Sequence, residues 1–280
     1  MYFLFANPLK PPTIELCREV AGILLAQGEQ VQLDEWLYNQ LHLGIAGTLE
    51  TLTPECRAVI AVGGDGTLLR TVSSAASLGI PMLGINMGRV GFLLETDPKD
   101  LEGVVSRLRD KEYRLDERSM LQASINGAQP RLILNDVVLC RGSNPSSITV
   151  HVTANTELVY TTHGDGVIVS TSTGSTAYCL SAGGPVLHPQ LDCTVVLPIC
   201  THKAQQLPIV MSADTQMTLR AEAVANRSYQ VILDGQTDLE IHGDVLVEIR
   251  RASVRAKFIR LEEQGFFTRL RLKQAEWSGK

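Results

Sequence analysis

The sequence contains no C-x-x-C pair. Its six cysteines, Cys17, Cys56, Cys140, Cys179, Cys193 and Cys200, have no zinc-type spacing, and no set of histidines and cysteines would build a metal cage. A chain of 280 residues is too large to need disulfide staples, so reduced cytosolic thiols fit and no protein-built metal site is expected. Long apolar runs are also missing. Nothing approaches the roughly 18 to 20 residues of a membrane span, and Tyr2-Phe3-Leu4-Phe5-Ala6 is too short for a signal peptide's apolar centre and has no basic region before it. The expectation is a soluble, cytoplasmic protein with no membrane partner. Positive charge is not in excess either: the formal net charge of -5 gives no electrostatic reason for a nucleic-acid partner. The one basic cluster, Arg250, Arg251, Arg255, Lys257 and Arg260, reads as a solvated strand face. Neither a Walker A motif nor G-x-G-x-x-G occurs, and the isolated His163 and His202 read as structural.

What the sequence does have is a stretch of chemistry at Val59 to Leu69, V-I-A-V-G-G-D-G-T-L-L. The unbroken apolar run suits a strand buried on both faces, and the residues from Leu68 to Leu78 suit a helix, so the glycines occupy the turn between them. Gly63, Gly64 and Gly66 let the backbone approach a ligand closely and present amide N–H groups at a helix N-terminus, a setting for phosphate. A bare carboxylate there, Asp65, would repel phosphate unless a cation intervenes or the acid takes a proton from a nucleophile, and it is read as catalytic. The competing reading makes Asp65 or Thr67 only the N-cap of the helix.

Along the chain, residues 2–6 read as a buried strand ended by Asn7-Pro8 and Pro11-Pro12. A helix follows from Thr13, with Ile14, Cys17, Ala21, Leu24 and Leu25 at helical spacing. Val31-Gln32-Leu33 is a short strand, and 34–54 a surface loop with partial helix. Ile80 to Asn86 is another buried strand, closing in Gly88-Arg89-Val90-Gly91-Phe92-Leu93, and 98–113 is a helix. Alternating strands and helices imply a parallel sheet with ligands beyond the C-terminal strand ends, where the turns at 63–67 and 86–91 fall. Near residue 119 the pattern changes to short β-type runs, with a hairpin signal at Asn126-Gly127, and it returns to helical spacing from Phe266 to Lys273. The expected layout is an α/β domain over 1–118, with 255–280 packing back on it, and an all-β sandwich over 119–254.

Three further constellations lie in the second half. Asn135-Asp136 stands between two apolar runs, where it offers donor and acceptor groups suited to a ribose diol or an adenine edge, or else forms a β-bulge. Gly164-Asp165-Gly166 leads through a buried strand into the hydroxyl-rich run Ser170 to Thr176, which can supply hydroxyl and backbone donors to a nucleotide or simply cap a helix. Asp234-Gly235-Gln236, read alone, is a hairpin tip.

Together, Gly63-Gly64-Asp65-Gly66-Thr67, Asn135-Asp136, the stretch Gly164 to Ser181 and Asp234-Gly235-Gln236 resemble the NAD kinase family in type and order, over residues 3–272. The glycine turn alone also resembles diacylglycerol and sphingosine kinases and phosphofructokinases. The run Thr171 to Tyr178, with the Asn-Asp pair ahead of it, is more specific. The resemblance implies transfer of the γ-phosphoryl of ATP to the 2′-hydroxyl of the adenosine ribose of NAD, giving NADP. It also implies an N-terminal Rossmann-like α/β domain, a C-terminal β-sandwich domain, a homodimer or homotetramer, and Mg²⁺ or another divalent cation delivered with ATP. By the same resemblance Asp65 is the catalytic acid/base, and Gly63, Gly64, Gly66 and Thr67 contact nucleotide phosphate. Asn135 and Asp136 hold the acceptor dinucleotide, Asp165 its nicotinamide end, and Thr176, Ala177, Tyr178 and Ser181 its adenosine. The chain departs from the family in having Asp136 where glutamate is common, and Thr201 and Leu207 where the family has proline and arginine. Two alternatives share the same plan: a diacylglycerol-type lipid kinase and a non-catalytic NAD(P)-binding regulator.

Overall fold

The computed structural model describes residues 1–7, 12–88, 91–94, 98–201, 206–225, 227–261 and 265–278. Pro8, Pro11, Arg89, Val90, His202, Lys203, Ala204 and Gln205 lie outside the described residues. The chain divides into two compact units, 1–117 with 255–280, and 118–254.

In the first unit, β1 (Tyr2–Ala6), β2 (Val31–Asp34), β3 (Ile45–Gly47), β4 (Ala58–Gly63) and β5 (Met82–Asn86) alternate with α1 (Pro12–Ala26), α2 (Glu35–Leu41) and α3 (Asp65–Ser77). The strands pair in parallel in the order β3-β2-β1-β4-β5, and the end of a long strand, Val245–Arg260, lies beside β5 with Phe258 opposite Met82. Every residue of β1 and β4 is buried, which is why their sequences are unbroken apolar runs. One face packs Tyr2, Leu4, Ile60 and Val62 against Leu16, Val20 and Leu24 of α1 and against Leu101, Val105 and Leu108 of α4 (Leu101–Asp110). The order reverses between β1 and β4, so the C-terminal end of β4 opens at a topological switch point, where the glycine turn leaves the sheet.

The stretch 34–54 is more ordered than a loop. It holds α2 and the edge strand β3, whose mixed pattern reflects burial of only Leu37 and Leu41 on the helix and only Gly47 on the strand. The helix expected over 98–113 ends before Tyr113, because Lys111 adopts a left-handed conformation, φ 60°, that stops α4.

The second unit is built from β6 (Arg114–Ile125), which enters from the first, followed by β7 (Arg131–Ile133), β8 (Asp136–Arg141), β9 (Ile148–Ala154), β10 (Glu157–Gly164) and β11 (Gly166–Thr171). A short helix α5 (Tyr178–Ser181) precedes β12 (Cys193–Ile199), β13 (Ile209–Ser212), β14 (Met217–Ala221), β15 (Tyr229–Leu233), β16 (Thr237–Ile241) and β17 (Val245–Arg260). β17 leads back to the first unit and to α6 (Phe266–Trp277). One antiparallel sheet runs β10-β9-β14-β17-β6-β7 and the other β13-β12-β11-β8-β15-β16. Val150, Leu219, Val247 and Ile249 of the first meet Val137, Leu139, Val167 and Val231 of the second in one core, which makes this unit a β-sandwich. The outer face of the second sheet is covered too: Val138, Ile168, Val195 and Leu197 lie under Cys179, Ala182 and Leu187. Covered on both faces, the centres of β8 and β11, Val137-Val138-Leu139 and Val167-Ile168-Val169, read as apolar runs with no alternation. At the β6–β7 hairpin, Asn126 and Gly127 both take positive φ, 48° and 74°, as an Asn-Gly turn requires.

The basic cluster on β17 is not uniformly solvated. Arg260 is buried and donates through Nε and Nη2 to Asp116 Oδ2 at 3.0 and 2.9 Å.

Candidate functional site

The turn after β4 is shaped by close approaches. Gly63 sits at φ 155°, and a Cβ on it would collide with the Thr67 hydroxyl. That hydroxyl accepts the Gly64 N–H at 3.4 Å, and the Gly64 carbonyl accepts the Thr67 N–H at 2.8 Å. Gly64 is therefore the N-cap of α3, and Thr67, itself buried, serves it. Asp65 is the first residue of the helix and caps nothing there.

The Asp65 carboxylate instead reaches the chain beyond β5. Its Oδ2 accepts the Phe92 N–H at 2.7 Å, and its Oδ1 accepts those of Leu93 and Leu94 at 3.1 and 3.2 Å. Gly91 makes this possible, since a Cβ there would strike Oδ1. Arg269 of α6 is 4% exposed, and burial drives its pKa down while the Asp65 charge opposes that shift. The same helix packs Phe266 against Phe92, ring centroids 6.4 Å apart.

The second unit repeats the device. Asp234, at φ 53° in the turn between β15 and β16, accepts three successive backbone N–H groups: Leu134 at 2.9 Å, Asn135 at 2.6 Å and Asp136 at 3.1 Å. Asp136 returns the link, its carbonyl accepting the Asp234 N–H at 2.9 Å. Two acids are thereby held close together, Asp136 buried and Asp234 partly buried. Burial, and then the neighbouring Asp234 charge, push the Asp136 carboxyl up to about 7, against the pull of the Tyr178 backbone amide. Burial pushes Asp234 up to about 6, with its three N–H donors opposing. Sequence reasoning places Asp234 at a hairpin tip and misses this reach. The available signal was an aspartate, which tolerates left-handed φ, directly before Gly235.

Most of the hydroxyl-rich run is turned inward. Thr171 Oγ1 donates to the Leu134 carbonyl at 2.6 Å and accepts the Gly174 N–H at 3.0 Å, while Ser170 donates to the Asn135 carbonyl at 3.2 Å. Ser175 donates to the Ser172 carbonyl at 2.7 Å and accepts from Leu187 at 3.0 Å. These hydroxyls hold the loop on the sheet, so they are not a set of open donors to a nucleotide. Thr176, Ala177, Tyr178 and Ser181 are the accessible part, with Tyr178 46% exposed. Burial raises the pKa of the Tyr178 phenol, and the nearby ionisable groups of Cys140, Cys200, Asp165 and Asp136 raise it further. Asp165 is half-buried and accepts from Arg141 Nε at 2.8 Å. The structure thus brings Asp136, Asp165 and Tyr178 into one neighbourhood of the second unit, while Gly63 to Thr67 belong to the first.

Residues 3–113 match the ATP-NAD kinase N-terminal domain, and residues 134–261 match the ATP-NAD kinase C-terminal domain. The chain belongs to the ATP-NAD kinase family. An NAD kinase of Geotalea daltonii is 34% identical over 275 residues, covering 96% of each chain. Another, of Heliobacterium modesticaldum, is 36% identical over 288 residues with the same coverage. Among solved structures, an NAD kinase from Archaeoglobus fulgidus in complex with ATP is 25% identical, with TM-score 0.75 over 97% of this chain and 99% of that one. Yeast NADH kinase complexed with NADH has TM-score 0.88 at 21% identity, over 99% of this chain and 87% of that one, a likeness of fold.

An ATP-NAD kinase is a phosphotransferase with an alcohol group as acceptor, and neither the lipid-kinase reading nor the non-catalytic one is favoured by these similarities. Of the two departures from the ATP-NAD kinase pattern near residue 200, Thr201 is partly buried and Leu207 is 73% exposed, so Leu207 faces solvent. Among the described residues, no three His, Cys, Asp or Glu side chains stand together in a way that could hold a metal ion.

Proposed function

We propose that the chain transfers the γ-phosphoryl of ATP to the 2′-hydroxyl of the adenosine ribose of NAD, with Asp65 receiving the hydroxyl proton. The observation that carries this reading is the fixed Asp65 carboxylate. An ionised carboxylate offers about four acceptor positions, and three are taken by the N–H groups of Phe92, Leu93 and Leu94, which leaves one for an incoming hydroxyl. Gly63, Gly64 and Gly66 give nucleotide phosphate room at the backbone. Thr67 contributes by holding Gly64. Asn135 and Asp136 hold the acceptor dinucleotide, Asn135 from the more open position. Asp165 meets its nicotinamide end, and Thr176, Ala177, Tyr178 and Ser181 its adenosine.

Phosphoryl transfer asks the protein mainly for positioning and charge stabilisation. A divalent cation such as Mg²⁺, delivered with ATP, would supply charge neutralisation for the transferred group. This fits Asp65, whose carboxylate is already engaged with backbone donors and forms no cage. The domain roles follow: the α/β domain carries the phosphate turn and the base, and the sandwich carries the acceptor site.

The test is NADP formation from NAD with ATP and Mg²⁺, run beside polyphosphate as donor and NADH as acceptor. Absence of phosphorylated dinucleotide in every combination would overturn the reading. A cytoplasmic setting suits the six free cysteines. A homodimer or homotetramer suits the edge strand β13, which exposes Ile209 and Val210 beside Leu207. Light scattering should give a mass of two or four chains, and Val210→Lys should lower it; a monomer at micromolar concentration would sink this part.

A further inference from the structure

We propose that Arg260, held by Asp116, is a positioning residue for Asp65 that acts through the peptide unit between Leu93 and Leu94. The inference rests on the reading of Asp65 as the base. Arg260 Nη1 donates to the Leu93 carbonyl at 2.6 Å. The N–H of Leu94 donates to Asp65 Oδ1 at 3.2 Å. That carbonyl and that N–H belong to one peptide group, which is planar and resists twisting, so the arginine grips one side of a rigid plate and the aspartate the other. The plate cannot tilt without breaking one of the two bonds. Its neighbours are tied to the same carboxylate by the Phe92 and Leu93 amides, so its tilt sets where the remaining lone pair of Asp65 points.

Arg260 is suited to this role because its guanidinium is a flat fork with donors in fixed directions. Nε and Nη2 are spent on Asp116 Oδ2, at 3.0 and 2.9 Å, which fixes the plane of the fork, and Nη1 is thereby aimed at Leu93. The ion pair is almost wholly removed from solvent, with side-chain exposures of 2% and 6%. Such a pair adds little to stability over apolar residues of the same volume, so a geometric task accounts for its presence better than stabilisation does. Lysine at 260 would keep the charge but present a compact ammonium on a flexible stem, with no fixed angle between the two acceptors.

The test compares kcat, the KM for NAD and melting curves for Arg260→Lys, for the paired replacement Asp116→Leu with Arg260→Met, and for each of these combined with Asp65→Asn. The paired replacement removes both charges together, so it leaves no uncompensated buried charge and is expected to fold even where Arg260→Lys does not. Loosening the plate should lower kcat by about 10- to 100-fold, the cost of misplacing a reacting group by a fraction of an ångström to an ångström, with the KM for NAD changed less than about threefold. In the Asp65→Asn background the same replacements should change kcat by less than about twofold, because the group they position is already disabled. A folded paired variant with wild-type kcat, or equal losses in both backgrounds, would overturn the proposal. If Asp65→Asn alone turns over normally, the base reading fails. If that variant is slow while Arg260→Lys and the paired variant are normal, only the positioning role fails.

Discussion

Asp65→Asn is expected to lower kcat by about 10² to 10⁴-fold, the usual contribution of a positioned acid/base group, while the dissociation constant for NAD changes far less. The substitution keeps size and shape and removes proton acceptance. It is not silent structurally, and the reason is on the same side chain. Oδ2 accepts from Phe92 while Oδ1 accepts from Leu93 and Leu94, so an amide must turn its own N–H₂ toward at least one backbone donor. Losing a hydrogen bond to a charged group there costs about 1.5 to 3 kcal/mol of stability. A lower melting temperature is therefore expected alongside slower turnover, and the two have to be separated. Turnover measured well below the melting transition does so: a carboxylate that only anchored the 91–94 segment would give back near wild-type kcat once the protein is folded. That outcome would remove Asp65 from proton transfer. A cap role can be set aside already, since Gly64 is the N-cap and Thr67 serves it.

Much of the fold was legible because burial writes itself into composition. β1 and β4 are covered on both faces and therefore unbroken, β9 and β17 face one core and therefore alternate, and Asn126-Gly127 demanded a tight turn. The stretch 34–54 was not legible, because an edge strand and a two-turn helix bury too few side chains to impose a period. For the site, the glycine turn and the Asn-Asp pair could be located from sequence, but the work of Asp65 and Asp234 could not. Each carboxylate serves three amides far away in the chain, and backbone amides leave no trace in a side-chain pattern. The two readings left open for Ser170 to Ser175 have the same origin: a hydroxyl that answers a neighbouring carbonyl and one that answers a ligand are the same letter. Arg260 was hidden by a related ambiguity, for a basic residue on a strand reads as solvated until a buried acid is found beside it.

Stability is expected to fall as the pH rises from about 5 to 8, and Asp136→Asn should abolish much of that slope. An aspartate in the unfolded chain titrates near ~3.9. In the folded protein burial, and then the adjacent Asp234, push Asp136 up to about 7 and burial pushes Asp234 up to about 6. Between these limits the folded state carries more protons than the unfolded state, so removing protons costs the fold. The contribution is fully present below about pH 4 and lost as the pH passes about 7. A shift of this size corresponds to a few kcal/mol at about 1.4 kcal/mol per unit. Asparagine is neutral at every pH, so the Asp136→Asn protein should match the wild type near pH 5 and melt at a higher temperature near pH 8. Parallel melting curves for the two proteins across this range would show burial to be uncompensated in neither, and would sink the account of the acid pair. Burying Asp136 beside a second acid gives up stability at neutral pH, and on the proposed reading this carboxyl is where the acceptor dinucleotide binds. A ribose hydroxyl donates to a carboxylate and favours its ionised form, so calorimetry should find NAD bound more tightly at pH 8 than at pH 6, with that difference missing from the Asp136→Asn protein. Equal pH dependence in both would leave the pair a structural element of the β8–β15 connection and move the acceptor contacts to Asn135 and Tyr178.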